Sequence, residues 1–168
     1  MNTSDRFWKD RRVLITGGAG FIGSNLAARL LAEGAPYIRI ADNLERGRRE
    51  YLDSVISDSR LDFRQVDLRD RSAAFDACDG VDTVFHLASK VGGIGYYLKM
   101  PGEVFSDNTL IDHNTWSGAL AHHVPYFMYA SSAHIYPIDL QMSPDAPPIS
   151  EHQAYPANPE LSYGWAKL

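Results

Sequence analysis

The chain has 168 residues, 45% hydrophobic and 22% charged, a composition that supports one ordinary folded domain and excludes a disordered or low-complexity chain. Its 16 Lys and Arg against 21 Asp and Glu leave a formal charge of −5, which argues against nucleic acid or an anionic membrane as partner, since both need a basic face. No apolar run approaches the ~18–20 residues of a membrane span. The single cysteine, Cys78, cannot form an internal disulfide, and Met1 to Arg6 lack the apolar stretch of a signal peptide, so the expected compartment is the cytoplasm.

Short apolar runs at 13–16, 37–41, 62–66, 83–87 and 126–131 read as strands; most lack polar alternation, as in strands buried on both faces. Between the first two, Ile22, Leu26 and Leu30 recur at helical spacing with Ala27 and Leu31 beside them, and Gly34 closes the helix. Further helices are expected at 48–57, 71–78 and 102–123. The resulting βαβαβαβαβ order is that of an α/β fold, a parallel sheet with helices on both faces. The stretch 137–159 holds six prolines and reads as an ordered irregular loop over the sheet edge. Asn158-Pro159-Glu160 then offers a cap, a first-turn proline and an acid for the positive helix end, so a helix is expected to start there. The sequence stops at Leu168 without a stop signal, which reads as a truncation.

Thr16-Gly17-Gly18-Ala19-Gly20-Phe21-Ile22-Gly23 lies where the first strand hands over to the first helix. Gly17 suits a tight turn, Gly20 lets backbone amides approach a pyrophosphate, and Gly23 lets helix and strand pack closely. The helix start would present unpaired N–H groups and a positive dipole end to the phosphates. Asp42 follows at the end of the second strand, about 20 residues beyond the last glycine, where an acid accepts hydrogen bonds from the adenosine ribose and repels a 2′-phosphate. NAD is therefore favoured over NADP. Arg46, Arg48 and Arg49 read as a solvated loop, with a hold on a 2′-phosphate, and hence NADP, as the alternative. Asp67-Leu68 after the third strand could touch adenine, with a solvent-exposed carboxylate as the alternative.

Tyr163-Gly164-Trp165-Ala166-Lys167 places a phenol and an ammonium at i and i+4, on one helix face. A tyrosine base must be brought from ~10 to near neutrality, about 4 kcal/mol of differential stabilisation. A fixed ammonium and an oxidised nicotinamide ring are charges that could supply it. Ser131-Ser132 falls at the C-terminal edge of the fifth strand, from which Ser132 could hydrogen-bond a substrate hydroxyl that Tyr163 deprotonates. Gly92 and Gly93 could let substrate approach the backbone, with an ordinary loop as the alternative, and the neighbouring Lys90 reads as a solvated charge, with a phosphate contact as its alternative. His122 and His123 suit a helix end. The histidines and Cys78 lack metal-ligand spacing, so no metal site is expected.

The ordered set Thr-Gly-Gly-Ala-Gly-Phe-Ile-Gly, Asp42-Asn43-Leu44, His86-Leu87-Ala88, Asn108, Ala130-Ser131-Ser132 and Tyr-x-x-x-Lys resembles the extended short-chain dehydrogenase/reductase family of nucleotide-sugar epimerases and dehydratases. The resemblance implies a Rossmann-type doubly wound sheet, a separate C-terminal substrate domain absent from this sequence, and a homodimer of the full-length protein formed through the long helix and the Tyr163 helix. It implies cofactor contacts from Gly17, Gly20, Phe21, Ile22, Gly23, Asp42, Asn43, Asp67, Leu68, Leu87, Ala88, Ser89, Asn108, Ala130, Tyr163 and Lys167. Tyr163, Lys167 and Ser132 would be catalytic, and Asn108 would position the active-site helix. Within the family, Val91-Gly92-Gly93-Ile94-Gly95, Ser131 to Pro137 and Tyr155-Pro156-Ala157-Asn158-Pro159 resemble the GDP-mannose 3,5-epimerase and GDP-fucose synthase branch, implying a GDP-linked sugar. There a cysteine acid/base precedes the Ile-Tyr-Pro segment. His134 holds that position here and can also move protons, with substrate contact or a structural role in a wet cleft as alternatives. The expected function is an NAD-dependent nucleotide-sugar epimerase acting through transient oxidation at sugar carbon 4. Simple 4-epimerisation, 4,6-dehydration and a non-catalytic dinucleotide-binding fragment are the alternatives.

Overall fold

The computed structural model describes residues 7–168; the signal-peptide reading of Met1 to Arg6 lies outside the described residues. Five parallel strands, β1 (Arg12–Thr16), β2 (Tyr37–Asp42), β3 (Leu61–Gln65), β4 (Thr83–His86) and β5 (Tyr126–Tyr129), form one sheet ordered β3-β2-β1-β4-β5. The α-helices are α1 (Phe21–Ala32), α2 (Arg71–Cys78), α3 (Ile94–Lys99), α4 (Pro101–Ala121) and α5 (Ser162–Lys167). The described residues fall into two compact units: one runs up to Ser89 and includes Leu110–Ala130, and the other comprises Lys90–Thr109 with Ser131–Leu168.

The first unit holds the sheet. Alternate residues of β1 serve opposite faces: Val13 and Ile15 join Ala27, Leu30 and Leu31 of α1, whereas Leu14 joins Ala74 and Ala77 of α2 and Ile111 and Ala119 of α4. This is why β1 reads as a continuous apolar run. Gly34, at φ +92°, closes α1 as a Schellman turn, with the amides of Gly34 and Ala35 donating to the carbonyls of Leu31 and Leu30. Asp70 caps α2 by accepting from the Ala73 amide. Arg39, buried in β2, donates from its guanidinium to the carbonyls of Ala77 and Asp79 at the other end of α2. Cys78 is fully buried beside it, and burial pushes its thiol up to about 11.

The helix expected at 48–57 is a 3-10 turn, Arg49–Leu52, followed by further tight turns. Asp53, Ser54 and Ser57 are weak helix formers, and the turns suffice to seat Leu52 and Val55 in the core. The long helix is preceded by α3, which the periodicity reading did not anticipate. Met100 separates the two at φ −127°, ψ 47°, because a residue before proline avoids the helical region. The last helix starts at Ser162 rather than near Asn158. Asn158 is committed elsewhere: its carbonyl accepts the Ile138 amide and its side chain donates to Asp139. The proline-rich stretch between contains two 3-10 turns, Ile138–Gln141 and Glu151–Ala154. Among the described residues no helix is long and apolar enough to cross a membrane.

Candidate functional site

In the first unit, the turn from β1 into α1 is set by contacts that exclude side chains. Gly17 has φ +67°, and a Cβ on it would stand 2.9 Å from the Ala88 backbone at the end of β4. A Cβ on Gly23 would meet Gly18 Cα at 2.6 Å, so α1 lies directly on the turn. Gly20 is the N-cap residue; α1 has no side-chain cap and no acid in its first turn, and Phe21 and Ile22 are exposed. Such a helix start keeps its amides and dipole for an anion.

Asp42 is buried, and its two oxygens accept the Ala19 amide at 3.0 Å and the Leu44 amide at 2.8 Å. The carboxylate thereby ties the glycine turn to the loop after β2. Asn43 accepts the Glu45 amide. The arginine run is partly accounted for: the Arg48 amide donates to the Ala19 carbonyl, and Arg49 lies over the Phe63 ring. Asp67 grips Arg69 through both oxygens at 2.6–3.1 Å, and that guanidinium holds its carboxyl below the usual carboxylate range despite partial burial. The Leu68 side chain is in the core, and its carbonyl accepts from Asn114. Ala130 donates its amide to the His86 carbonyl, and Ser89 lies in the segment between β4 and α3 as the last residue of the first unit before it.

A buried polar chain, not anticipated from the sequence, underlies this turn. Thr16 Oγ1 accepts the amides of Leu87 and Ala88, each at 3.1 Å, and lies 2.8 Å from His86 Nδ1. Two accepted N–H groups fill both lone pairs of the hydroxyl oxygen, so Thr16 donates its own proton to Nδ1. His86 is then the neutral Nε2–H tautomer, donating to Asp112 Oδ1 at 2.9 Å, while Tyr129 donates to Asp112 Oδ2 at 2.7 Å. Polar residues at the buried ends of β1 and β4 were the available signal, since buried polar groups come paired.

The second unit gathers the remaining candidates. Tyr163 and Lys167 lie on α5 and are buried. Ser132 caps the 3-10 turn Ala133–Ile135, its hydroxyl accepting the His134 amide at 3.2 Å, and Ser131 donates to the Lys167 carbonyl at 2.9 Å. The His134 ring meets Tyr163 edge-on, centroids 5.8 Å apart, and Tyr97 of α3 stacks on Tyr163 at 5.2 Å and 17°. Asn108 is fully buried, accepting the Lys90 amide and donating to the carbonyls of Lys90 and Val104. Lys90 corrects the reading of a solvated charge: its ammonium lies 3.7 Å from Glu103 and 3.8 Å from Asp107, and its side chain is only 15% exposed. Gly92 is packed rather than open, because a Cβ there would stand 2.6 Å from the Tyr96 ring and its amide donates to the Tyr97 hydroxyl. Gly93 has open space around its Cβ position. Among the described residues no group of three His, Cys, Asp or Glu could hold a metal ion.

A parallel sheet with this strand order, and a glycine turn opening α1 at the β1/β4 switch, defines a Rossmann-type α/β domain. Residues 13–168 match the model of the NAD dependent epimerase/dehydratase family, and the chain belongs to that family. The chain is 36% identical over 166 residues to GDP-mannose 3,5-epimerase 1 of Oryza sativa subsp. japonica, covering 98% of this chain and 42% of that one. Among solved structures, UDP-glucose 4-epimerase of Thermus thermophilus in complex with NAD is similar at 30% identity and TM-score 0.77, covering 93% of this chain and 47% of that one. The dTDP-glucose 4,6-dehydratase DesIV of Streptomyces venezuelae, with NAD and TYD bound, is similar at 28% identity and TM-score 0.81, with 93% and 48% covered. The chain thus spans less than half the length of these relatives.

Proposed function

We propose that this chain is the NAD-binding part of a nucleotide-sugar epimerase that acts through transient oxidation at sugar carbon 4, in the manner of a GDP-mannose 3,5-epimerase. The uncapped, acid-free start of α1, the glycine turn that opens it and the Asp42 carboxylate fit a dinucleotide, with Asp42 favouring NAD over NADP. NAD, when bound, supplies the hydride acceptor for the sugar carbon. Tyr163 takes the proton of the 4-hydroxyl, the Lys167 ammonium favours the phenolate, and Ser132 holds the hydroxyl. A ketone at carbon 4 acidifies the neighbouring C–H bonds, and His134 moves a proton there.

The observation that carries the reading is the meeting of the His134 and Tyr163 rings at 5.8 Å, which brings a second proton-transfer group beside the tyrosine base. A 4-epimerase needs no such group, and the likeness to the Thermus thermophilus enzyme makes simple 4-epimerisation the second reading. The partner would be a GDP-linked sugar and the compartment the cytoplasm. Leu110, Trp116 and Leu120, exposed along α4, suit the face through which a homodimer would form.

A thermal-shift titration of the full-length gene product with NAD and NADP, repeated with GDP-mannose, UDP-glucose and dTDP-glucose, tests this. At ~100-fold excess over Kd a native-state ligand adds about 2.7 kcal/mol. Stabilisation by NAD and by GDP-mannose, with turnover lost in Tyr163→Phe, is expected; no shift with either cofactor would sink the proposal.

A further inference from the structure

Tyr97 has no part in the function proposed above, yet its ring packs flat against the tyrosine that does. It is 7% exposed, and its ring lies nearly parallel to that of Tyr163, at 17°, with centroids 5.2 Å apart. That separation with near-parallel planes is an offset stack, a favourable aromatic arrangement. His134 closes on both rings edge-on, 6.4 Å from Tyr97 and 5.8 Å from Tyr163. Val104 and Leu161 complete the same buried cluster. The phenol is thus packed on one face by a flat ring and on another side by an imidazole edge.

The other end of Tyr97 is anchored as well. Its hydroxyl accepts the Gly92 amide at 3.2 Å, while Gly92 is pressed against Tyr96, whose own hydroxyl donates to Glu103. One side chain therefore joins the glycine segment 91–93 to the face of the tyrosine base.

We propose that Tyr97 is a positioning residue for Tyr163: its ring fixes the phenol in the orientation from which the Lys167 ammonium, one turn along α5, favours ionisation. The inference rests on the reading of Tyr163 as the base. An ammonium–phenolate attraction that loosens by about 2 Å at short range shifts the ionisation about ten-fold at an effective dielectric near 20. The groups that bear on the phenol are Lys167 on its own helix, His134 on the preceding turn and Tyr96 and Tyr97 on α3. On α4, Glu103 and Asp107 flank Val104, with Lys90 between them. Tyr97→Met or Tyr97→Leu changes none of these charges while removing the flat ring.

The experiment is a tyrosinate titration at about 295 nm of the full-length gene product with saturating NAD. In each background the Tyr163→Phe counterpart is subtracted, so that the difference reports Tyr163 alone. The parent is expected to ionise well below the ordinary tyrosine range near ~10. Tyr97→Met and Tyr97→Leu should then show about ten-fold less Tyr163 phenolate at pH 8, and Tyr97→Phe, which keeps the stack, should match the parent. A low parental midpoint that both non-aromatic variants leave unchanged would overturn the role of Tyr97 while the tyrosine base stands. An ordinary midpoint in the parent would overturn the base itself, and the proposal with it. Should neither non-aromatic variant fold, the Tyr163 ring-flip rate in 13C-tyrosine spectra of the parent decides. Slow flipping with stack-shifted resonances is expected, and a fast-flipping ring at unshifted frequency refutes the positioning role.

Discussion

Replacing Thr16 by Val tests the buried chain beneath the glycine turn. The change keeps shape and removes one hydroxyl, which accepts the Leu87 and Ala88 amides and donates to His86. Leu87 has a second acceptor, the Thr16 carbonyl at 3.2 Å, so the bonds lost outright are those that the Ala88 amide and His86 Nδ1 make to the Thr16 hydroxyl. A buried polar group stripped of its partner costs about 1–3 kcal/mol, giving roughly 2–6 kcal/mol for the pair. For a domain of this size each kcal/mol lowers Tm by about 2–4 °C, so Thr16→Val should melt roughly 4–24 °C below the parent. Thermal melts of parent, Thr16→Val and Thr16→Ser read the Tm shift, and urea melts read the free-energy difference. The serine variant keeps the hydroxyl and should lose only about 1 kcal/mol for its missing methyl. A double-mutant cycle with Asp112→Asn should show a coupling of about 0.5–3 kcal/mol, since the two residues act on one imidazole. A valine variant within about 0.5 kcal/mol of the parent, or a cycle that is simply additive, would refute the chain and the His86 tautomer derived from it.

Gly17→Ala puts a Cβ 2.9 Å from the Ala88 backbone at a φ of +67°, so it should destabilise by roughly 3 kcal/mol and abolish any NAD-induced rise in Tm; a parent-like thermal shift would count against the turn as the dinucleotide cradle. His123, at φ 54° with its amide and that of Val124 donating to the carbonyls of Leu120 and Ala119, fills the glycine position of a Schellman turn at the end of α4. His123→Gly should therefore raise stability by about 0.5–1 kcal/mol in a urea melt. Asp67 has a folded-state pKa lowered chiefly by Arg69, so its contribution is present above the unfolded value near ~3.9 and is lost as pH falls through the lowered one. With the Asp67 side chain 38% exposed, the Arg69→Met deficit should stay below about 1 kcal/mol at pH 6 and shrink as pH falls below the ordinary carboxylate range. A deficit that is constant across that range would assign it to packing of the arginine stem instead.

The parts of the fold carried by local periodicity were legible. The five strands lie within two residues of their expected ends, the bounds of α2 are those expected, and Gly34 closes α1. Each of these depends on neighbours in sequence. The stretch at 48–57 misled because Leu52, Val55 and Ile56 carry helical spacing, although a string of tight turns buries Leu52 and Val55 equally well. The start of α5 misled for a different reason: Asn158 is a good cap, but Ile138 and Asp139, some twenty residues earlier, had already engaged it. Lys90 reads as solvated in isolation, and only the turn spacing of Glu103 and Asp107 along α4 shows two carboxylates facing one ammonium.

The same distinction runs through the Tyr163 helix. Tyr163 and Lys167 stand out because a phenol and an ammonium have chemistry that can be named from residue type and spacing alone. Gly164 between them has none. A Cβ at Gly164 would collide with the backbone carbonyl of His134 and stand 2.8 Å from the Pro159 side chain. The absence of a side chain at 164 is what lets α5 settle on the Ala133–Ile135 turn, and that settling sets the 5.8 Å approach of the His134 and Tyr163 rings. Ser131, bonded to the Lys167 carbonyl, fastens the same two segments, and Ser132 caps the turn itself by accepting the His134 amide. A residue chosen for what it must not contain is thus as decisive for the candidate site as the groups proposed to react, and its reason lies in a segment thirty residues away in the chain, where no local pattern can display it.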